Sequence, residues 1–501
     1  MPPRTKSLNT LDELKRYWAQ NKVPYYFVGA SAFNLIDLDR WINRLTYIVY
    51  IPPDKKRRAN VITPVNSSAP VFDHYEQIPA YLLEHKQVLD FIKKDRKSAG
   101  KSMPNVIFLF FDEGLEKRCK ALDLQVCHPP FKRIKKYDNK VNATRLGNQA
   151  GVPSVPNILA KVDSYGTLRK LAKQANLGKQ WVVQTPYGDS GKTTFFIASE
   201  DDYNAHSWRI EKEACVKIMK RIRCASAAIE ACATHRGTFT GPLMSELIGH
   251  PALTPYPGGW CGNDLHPTGF SMAIRKTAQD MTVKLGNALY KNGYKGYFEV
   301  DYLIDRDTRD VYFGELNPRI SGITPMTSNS PYAEQTAPLF LLHLTEFAGI
   351  EFELDATTYN HDVLRHGAQG ASGQLIFKYV DPELKVIAHA PEGGIYTLDE
   401  SGRLTWKKHA IHRNAARGEN EGFLMQIKSK DEYVYHGEDM AIMFINTPVM
   451  GKKGSLTRMA NKWIKALRNA YILRDLTEEE SAIIDRYQNP GVRLKRTHAD
   501  G

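Results

Sequence analysis

The residues best suited to chemistry lie between Gly296 and Gly322, in the run GYFEVDYLIDRDTRDVYFGELNPRISG. Tyr297 to Ile304 and Val311 to Leu316 are rich in aromatic and β-branched residues, and the charged turn Asp305-Arg306-Asp307-Thr308-Arg309-Asp310 separates them. That pattern predicts a β-hairpin. Side chains two apart on a strand share a face, so Tyr297, Glu299 and Asp301 project together from the first strand, and Glu315 and Asn317 from the second. Oxygen-bearing side chains brought side by side on paired strands suit a hard divalent cation. Mg²⁺ takes one or two carboxylates in an octahedral shell and fills the rest with water and phosphate. Asp301, Glu315 and Asn317 meet that demand, and Arg319, two residues on, has the planar fork that grips phosphate or carboxylate.

The combination FEVDYLID with GELNPR resembles the metal-binding hairpin of the ATP-grasp superfamily, and the likeness runs over about residues 135–330, nearest the biotin-carboxylase-like and carboxylate–amine ligase branches. What it implies is ATP held between two α+β lobes, Mg²⁺ or Mn²⁺ on the hairpin, and an acyl phosphate that an amine or another nucleophile attacks. Whether Glu299 or Asp301 is the first metal ligand stays open. The stretch DNKVNATRLGNQAGVPSVP (138–156) reads as a helix stopped at Gly151, followed by an extended Pro-bearing segment. By the resemblance it is the entry helix, and Lys140 near its start contacts the nucleotide phosphates.

Residues 179–199, KQWVVQTPYGDSGKTTFFIAS, read as strand, glycine-bearing loop and strand. Small loop residues let backbone N–H groups approach phosphate oxygens, and Gly188, Ser190, Gly191, Lys192, Thr193 and Thr194 provide them. A Walker A loop is excluded, because Pro186 occupies the position of its first glycine and a strand follows where a helix is required. In the resemblance this loop is the flap over the triphosphate, and the strand before it carries a second phosphate-binding lysine. Gln184 stands at that position here. An amide hydrogen-bonds an oxygen without neutralising it, so Lys192 becomes the candidate for the missing charge. The apolar, basic-studded ACVKIMKRIRC (214–224) corresponds to the hinge between lobes. Backbone around Met219, Lys220 and Ile222 is expected to meet the adenine edge, and Glu246 to join the phosphate and metal shell. His250, Trp260, Cys261, Asn263 and Asp264, in or beside the loop PYPGGWCGND, either line an acceptor pocket or, in the case of Trp260, anchor a long loop.

The surrounding elements follow from periodicity. Residues 8–20, 81–97, 115–124, 270–292, 332–348 and 455–473 have helical spacing; 23–33, 45–53 and 105–114 contain strands alternating with helices, which argues a parallel sheet. Strands are also expected near 226–233 and 242–248. Gly29 follows a strand without GxGxxG, so it serves a turn and no dinucleotide loop. Beyond 351, short strands separated by turn residues indicate a mostly antiparallel β region, and GVRLKRTHADG is a solvated tail. The expected architecture is α/β and α+β: an N-terminal Rossmann-like domain (1–130) preceding a two-lobed ATP-grasp domain (131–350), then a β-rich domain with a terminal helix (351–501).

Composition bounds the function. The 501 residues are 42% hydrophobic and 25% charged, with a net charge of +13, and they suffice for several domains. The basic clusters at 93–101, 132–136 and 220–223 are interleaved with acidic residues, which suits a cationic enzyme handling a triphosphate and an acid substrate better than a nucleic-acid surface. No run approaches about eighteen apolar residues and the first residues have no apolar core, so no membrane role and a cytoplasmic location are expected. Six scattered cysteines with no CxxC pair read as reduced thiols. The expectation is an ADP-forming, C–N bond-forming ligase acting on a small carboxylate and an amine, with homodimerisation allowed. A biotin-carboxylase-like enzyme using bicarbonate is the second reading, weakened by Gln184 and by the lack of a biotinyl-lysine motif. A non-catalytic nucleotide-binding protein is the third.

Overall fold

The computed structural model describes residues 7–53, 58–65, 72, 74–98, 102–188, 193–451 and 454–482. Ser190, Gly191 and Lys192 of the glycine loop lie outside these residues, as does the C-terminal tail.

The chain opens with a five-stranded parallel sheet of β1 (Tyr25–Gly29), β2 (Leu45–Val49), β3 (Val61–Ile62), β4 (Asn105–Phe108) and β5 (Gln125–Val126), in the order β3-β2-β1-β4-β5. Every residue of β1 and β4 is buried, because a parallel sheet is covered on both faces. Helix Leu11–Gln20 caps one side through Leu14 and Trp18. The other side is covered by two helices, Ile78–Glu84 and Lys86–Ser98, where one was expected; the break falls at His85, whose backbone turns extended.

A four-stranded antiparallel sheet follows: β6 (Asn157–Ala160), β7 (Trp181–Gln184), β8 (Thr194–Ile197) and β9 (Val216–Lys220), ordered β6-β9-β7-β8. Its two faces divide the labour. Val183, Ile197, Val216 and Ile218 pack under helix Tyr165–Gln174. Val182 and Met219 turn the other way, towards Leu303 and Tyr312.

The rest is organised on one large antiparallel sheet of eleven strands. β10 (Cys224–Thr234), β11 (Gly237–Thr240), β12 (Met244–Ile248), β13 (Trp260–Leu265), β14 (Gly296–Asp305) and β15 (Val311–Asn317) form its first part, and β16 (Ser372–Lys378) continues it by pairing with β13. Of the later strands, β17 (Lys385–His389), β18 (Gly394–Leu398), β19 (Leu404–Lys408), β20 (Glu421–Gln426), β21 (Tyr433–Val434), β22 (Asp439–Ile445) and β23 (Ile472–Arg474), four extend this sheet in the order β16-β22-β20-β18-β19, while β21-β17-β23 form a small sheet of their own. The antiparallel pattern expected after residue 351 is present, and most of it is joined to the strands that precede residue 350.

Helix Met272–Lys291 begins where the Ser271 hydroxyl accepts the Ile274 N–H and presents Ile274, Ala278, Met281, Leu285 and Leu289 to the back of this sheet. Phe298, Val300 and Tyr302 of β14 meet it there. Strand alternation then forces Glu299 and Asp301 to the opposite face. The expected helix over 332–348 is two, Pro331–Gln335 and Phe340–Phe347, because Pro338 cannot continue a helix.

The expected loop PYPGGWCGND is a loop only in its first half. Residues Trp260–Leu265 form β13, inside the large sheet between β12 and β16. Glycine, asparagine and aspartate disguise it, and Gly262 is there for contact: its φ is +139° and an added Cβ would sit 2.0 Å from the Gln374 carbonyl oxygen of β16. Gly262→Ala is therefore expected to wedge the two halves of the sheet apart and to cost about 3 kcal/mol or more. Gly258→Ala, where an added Cβ meets nothing within 4 Å, serves as the control, and an equal loss of stability in both on denaturant unfolding would contradict this.

Candidate functional site

Between the parallel sheet, the four-stranded sheet and the large sheet lies a cleft of about 2840 Å³ whose wall includes Gln184, Met219, Glu246, Glu299, Asp301 and Glu315. The register of β14 with β15 puts Glu299 directly opposite Asn317 and Asp301 directly opposite Glu315, so four polar side chains share one face. A bulge follows. Asp301 pairs with Glu315 and Tyr302 with Phe313, leaving Gly314 as the extra residue. On the neighbouring strand β10, Ala228 lies opposite Asp301, and its small side chain leaves room for Glu246 to approach from β12. Carboxylate oxygens of Glu246, Glu299 and Asp301 all lie within 4.8 Å of one another.

Such crowding is costly without a counterion: two like charges at that distance repel by about 3–4 kcal/mol at an effective dielectric constant of about 20. The carboxyls respond as expected. Burial pushes Glu246 up to about 8, helped by Glu299 and Glu315. It pushes Glu299 to about 7, against the opposing pull of the Ser321 hydroxyl and Arg319. Asp301 is held well above the carboxylate range by burial and then by Glu246, Glu299 and Glu315, with Lys140 opposing. One carboxylate oxygen of Asp301 is buried with no hydrogen-bond partner. An all-oxygen donor set with an orphaned oxygen among crowded acids fits a hard cation such as Mg²⁺. Asn317 donates from Nδ2 to Asp301 at 3.3 Å and accepts from Arg319 on its oxygen at 3.2 Å, so the amide links the acids to the guanidinium.

Lys140 opens helix Lys140–Gln149, whose first turn is closed by the Asn139 side chain accepting the Asn142 N–H. Its ammonium, almost fully buried, reaches Glu315 Oε1 and the Gly188 carbonyl oxygen, each at 2.6 Å. Its backbone N–H bonds the Pro186 carbonyl at 2.8 Å. One lysine thus ties the edge of the glycine loop to the acidic hairpin. Gly188 has φ +144° and faces Thr193 so closely that an added Cβ would fall 2.1 Å from its hydroxyl, which only glycine permits.

On the four-stranded sheet, Gln184 donates to the Thr194 hydroxyl at 3.2 Å, and its own oxygen is buried without a partner. At the end of β9, Lys220 and Arg221 give their backbone N–H groups to the Pro156 and Gln180 carbonyls. The Ile222 amide, next along the cleft wall, has no intrachain acceptor among the described residues. Met219 is buried against Val155 and Val182, an apolar slot of the kind a flat ring occupies.

Part of the expected acceptor pocket needs correction. His250 and Trp260 line the cleft. Cys261, Asn263 and Asp264 are buried within the sheet, where Asn263 holds the Trp260 indole N–H and Asp264 accepts the N–H groups of Val449 and Met450. They position the wall and do not form it. Trp260 in turn packs on Gly322, where an added Cβ would meet its ring at 2.5 Å.

Glu299, left open beside Asp301 as the first metal ligand, stands with it in the acidic cluster. One residue escaped the sequence reading. Lys217, on β9, is 0% exposed and lies directly opposite Gln184; a lysine amid Val216, Ile218 and Met219 was the signal.

Because Glu246 and Glu299 carry raised pKa values in the folded protein, folding takes up protons between the ordinary value of 4.5 and about 7–8. The protein lacking metal therefore loses stability as pH rises through that window, and added Mg²⁺ or Mn²⁺ restores it. Asp301→Asn removes the most crowded charge and is expected to raise stability without metal by about 1–3 kcal/mol at pH 8 while abolishing the stabilisation by metal. Thermal melts with and without metal check this; an unaltered metal effect in Asp301→Asn would contradict it.

The sequence matches no protein-family profile and no curated protein. Solved structures do match over nearly the whole length. The biotin carboxylase domain of 2-oxoglutarate carboxylase from Hydrogenobacter thermophilus, solved with MgADP, ADP and bicarbonate, aligns at 13% identity and TM-score 0.58, covering 91% of each chain. N5-carboxyaminoimidazole synthase from Aspergillus clavatus, solved with ADP and 5-aminoimidazole ribonucleotide, aligns at 12% identity and TM-score 0.54, covering 90% of this chain and 99% of that one. Phosphoribosylamine–glycine ligase from Thermotoga maritima aligns at 13% identity and TM-score 0.54, covering 90% and 98%. At these identities the likeness speaks for architecture, and the architecture of this chain is the ATP-grasp fold.

Proposed function

We propose that this protein is an ADP-forming ligase that joins a small carboxylic acid to an amine, with Mg·ATP as the energy source. The observation that carries this is the face of β14 and β15 on which Glu299, Asp301, Glu315 and Asn317 stand together beside Glu246, opposite an apolar slot around Met219 and within one cleft. Nucleotide is held at both ends by such a cleft: ring in the slot, phosphates at the acids through a cation. Two of the solved structures described above contain ADP or MgADP in the same fold, which supports the reading.

The chain's own residues then have defined tasks. Asp301, Glu315 and Asn317, with Glu246 and Glu299 close by, would hold the metal, which would supply positive charge to the transferring phosphoryl group. Lys140 fixes Glu315 and draws the Gly188 end of the glycine loop over the phosphates. Arg319, braced on Asn317, orients the acid substrate. A carboxylate oxygen attacks the γ-phosphorus and ADP leaves; the amine nitrogen attacks the acyl carbon, loses a proton, and phosphate leaves. The energetic work is positioning and charge neutralisation away from water.

A second reading uses bicarbonate as the acid. The match to a biotin carboxylase domain over 91% of both chains favours it, and the acceptor, if biotin, would arrive on another chain.

The test is an ADP-release screen of the full-length protein over amino acids, small carboxylic acids, bicarbonate and free biotin, with mass spectrometry of the product. ADP release that needs both an acid and an amine, with transfer of ¹⁸O from the acid to phosphate, is the expected result. Glu315→Gln is expected to lower turnover by about 10²–10³-fold. AMP as product, or ADP release that stays intact in Glu315→Gln, would overturn the reading.

A further inference from the structure

Lys217 is a buried cation with no side-chain hydrogen bond or ion pair among the described residues. It sits in the middle of β9, is 0% exposed, and its ammonium has one hydrogen-bond acceptor among the described residues, the Gly314 carbonyl oxygen, at the long distance of 3.4 Å. Its next contact is the Phe313 ring, 5.9 Å from Nζ to the centroid. Glu315, the nearby carboxylate, already gives Oε1 to Lys140 at 2.6 Å. Burying an ammonium with so little compensation is expensive, and a sequence keeps such a group where a further anion completes it.

Its position says which anion. Lys217 shares a strand face with Met219, the residue that floors the apolar slot. It lies directly opposite Gln184 in the register of β7 with β9. Gly314, which its Nζ touches, and Gln184 both belong to the cleft wall, so the ammonium stands just behind the wall between the glycine loop and the acidic hairpin. The wall itself offers a neutral amide at that point, and the Gln184 oxygen there is unpartnered.

We propose that Lys217 supplies positive charge to the polyphosphate end of the cleft, where the wall itself presents the neutral amide of Gln184. Residues directly opposite on antiparallel strands have Cβ atoms about 5 Å apart, so an ammonium at either position serves the same phosphates. The inference rests on the nucleotide reading above.

The test is calorimetric binding of Mg·ATP and of AMP to the full-length protein. Lys217→Met is expected to weaken Mg·ATP by about 10–100-fold, the weight of a charge-assisted hydrogen bond, and AMP by less than about twofold. The exchange variant Lys217→Gln with Gln184→Lys, which keeps one ammonium in the same strand pair, is expected to return Mg·ATP affinity to within about threefold of wild type, and it carries the test should Lys217→Met fail to fold. A folded exchange variant that still binds Mg·ATP at least about tenfold more weakly, or Lys217→Met losing AMP as severely as ATP, overturns this inference alone. Wild-type protein that binds neither nucleotide overturns the nucleotide reading and this inference with it.

Discussion

The structure depends on a repulsion. Glu246, Glu299 and Asp301 are held within 4.8 Å of one another by strand registers that the rest of the molecule makes rigid: a helix packed on the back of β14, the bulge at Gly314 and the small side chain of Ala228 between them. Each carboxyl responds by rising towards neutrality. A fold spends stability in this way where it must bind something positive, and local rules broken inside an otherwise consistent core mark a functional site.

Around that centre the charges are arranged in layers. Lys140 binds one acid and the carbonyl of Gly188, so Gly188 is tied to the hairpin through one ammonium. Arg319 donates to Asn317, which in turn donates to Asp301, and it opposes the rise of Glu299 by its charge. The four-stranded sheet meets the large sheet where Met219 approaches Leu303 and Tyr312, beside the short segment between β9 and β10.

Much of this was legible in the residues themselves, and the failures have physical causes. The hairpin could be read because alternation, turn chemistry and oxygen donors agree over one local stretch. Lys140 is singled out through the resemblance of its stretch to an ATP-grasp entry helix, and the glycine stop at Gly151 bounds the helix that it opens. β13 could not be read, since Gly262, Asn263 and Asp264 carry turn propensities that pairing on both sides overrides. Lys217 could not be placed, because its surroundings depend on which strand lies beside which: β9 sits next to β7 across more than thirty residues of intervening chain, and no local pattern specifies that order. The continuity of the large sheet from β13 to β16 is hidden for the same reason. Ser190, Gly191 and Lys192 lie outside the described residues, so the loop's role stands on its sequence and on Gly188 and Thr193 at its edges.

The central claim is that the end of the β14–β15 hairpin holds the metal and phosphates of a nucleotide. A crystal structure with Mg²⁺ and a non-hydrolysable ATP analogue tests it most directly. The account predicts a metal at about 2.1 Å from oxygens of Asp301 and Glu315, phosphate oxygens completing its shell, and the ring against Met219. A nucleotide bound elsewhere in the cleft, with those carboxylates free of metal and phosphate, would contradict it.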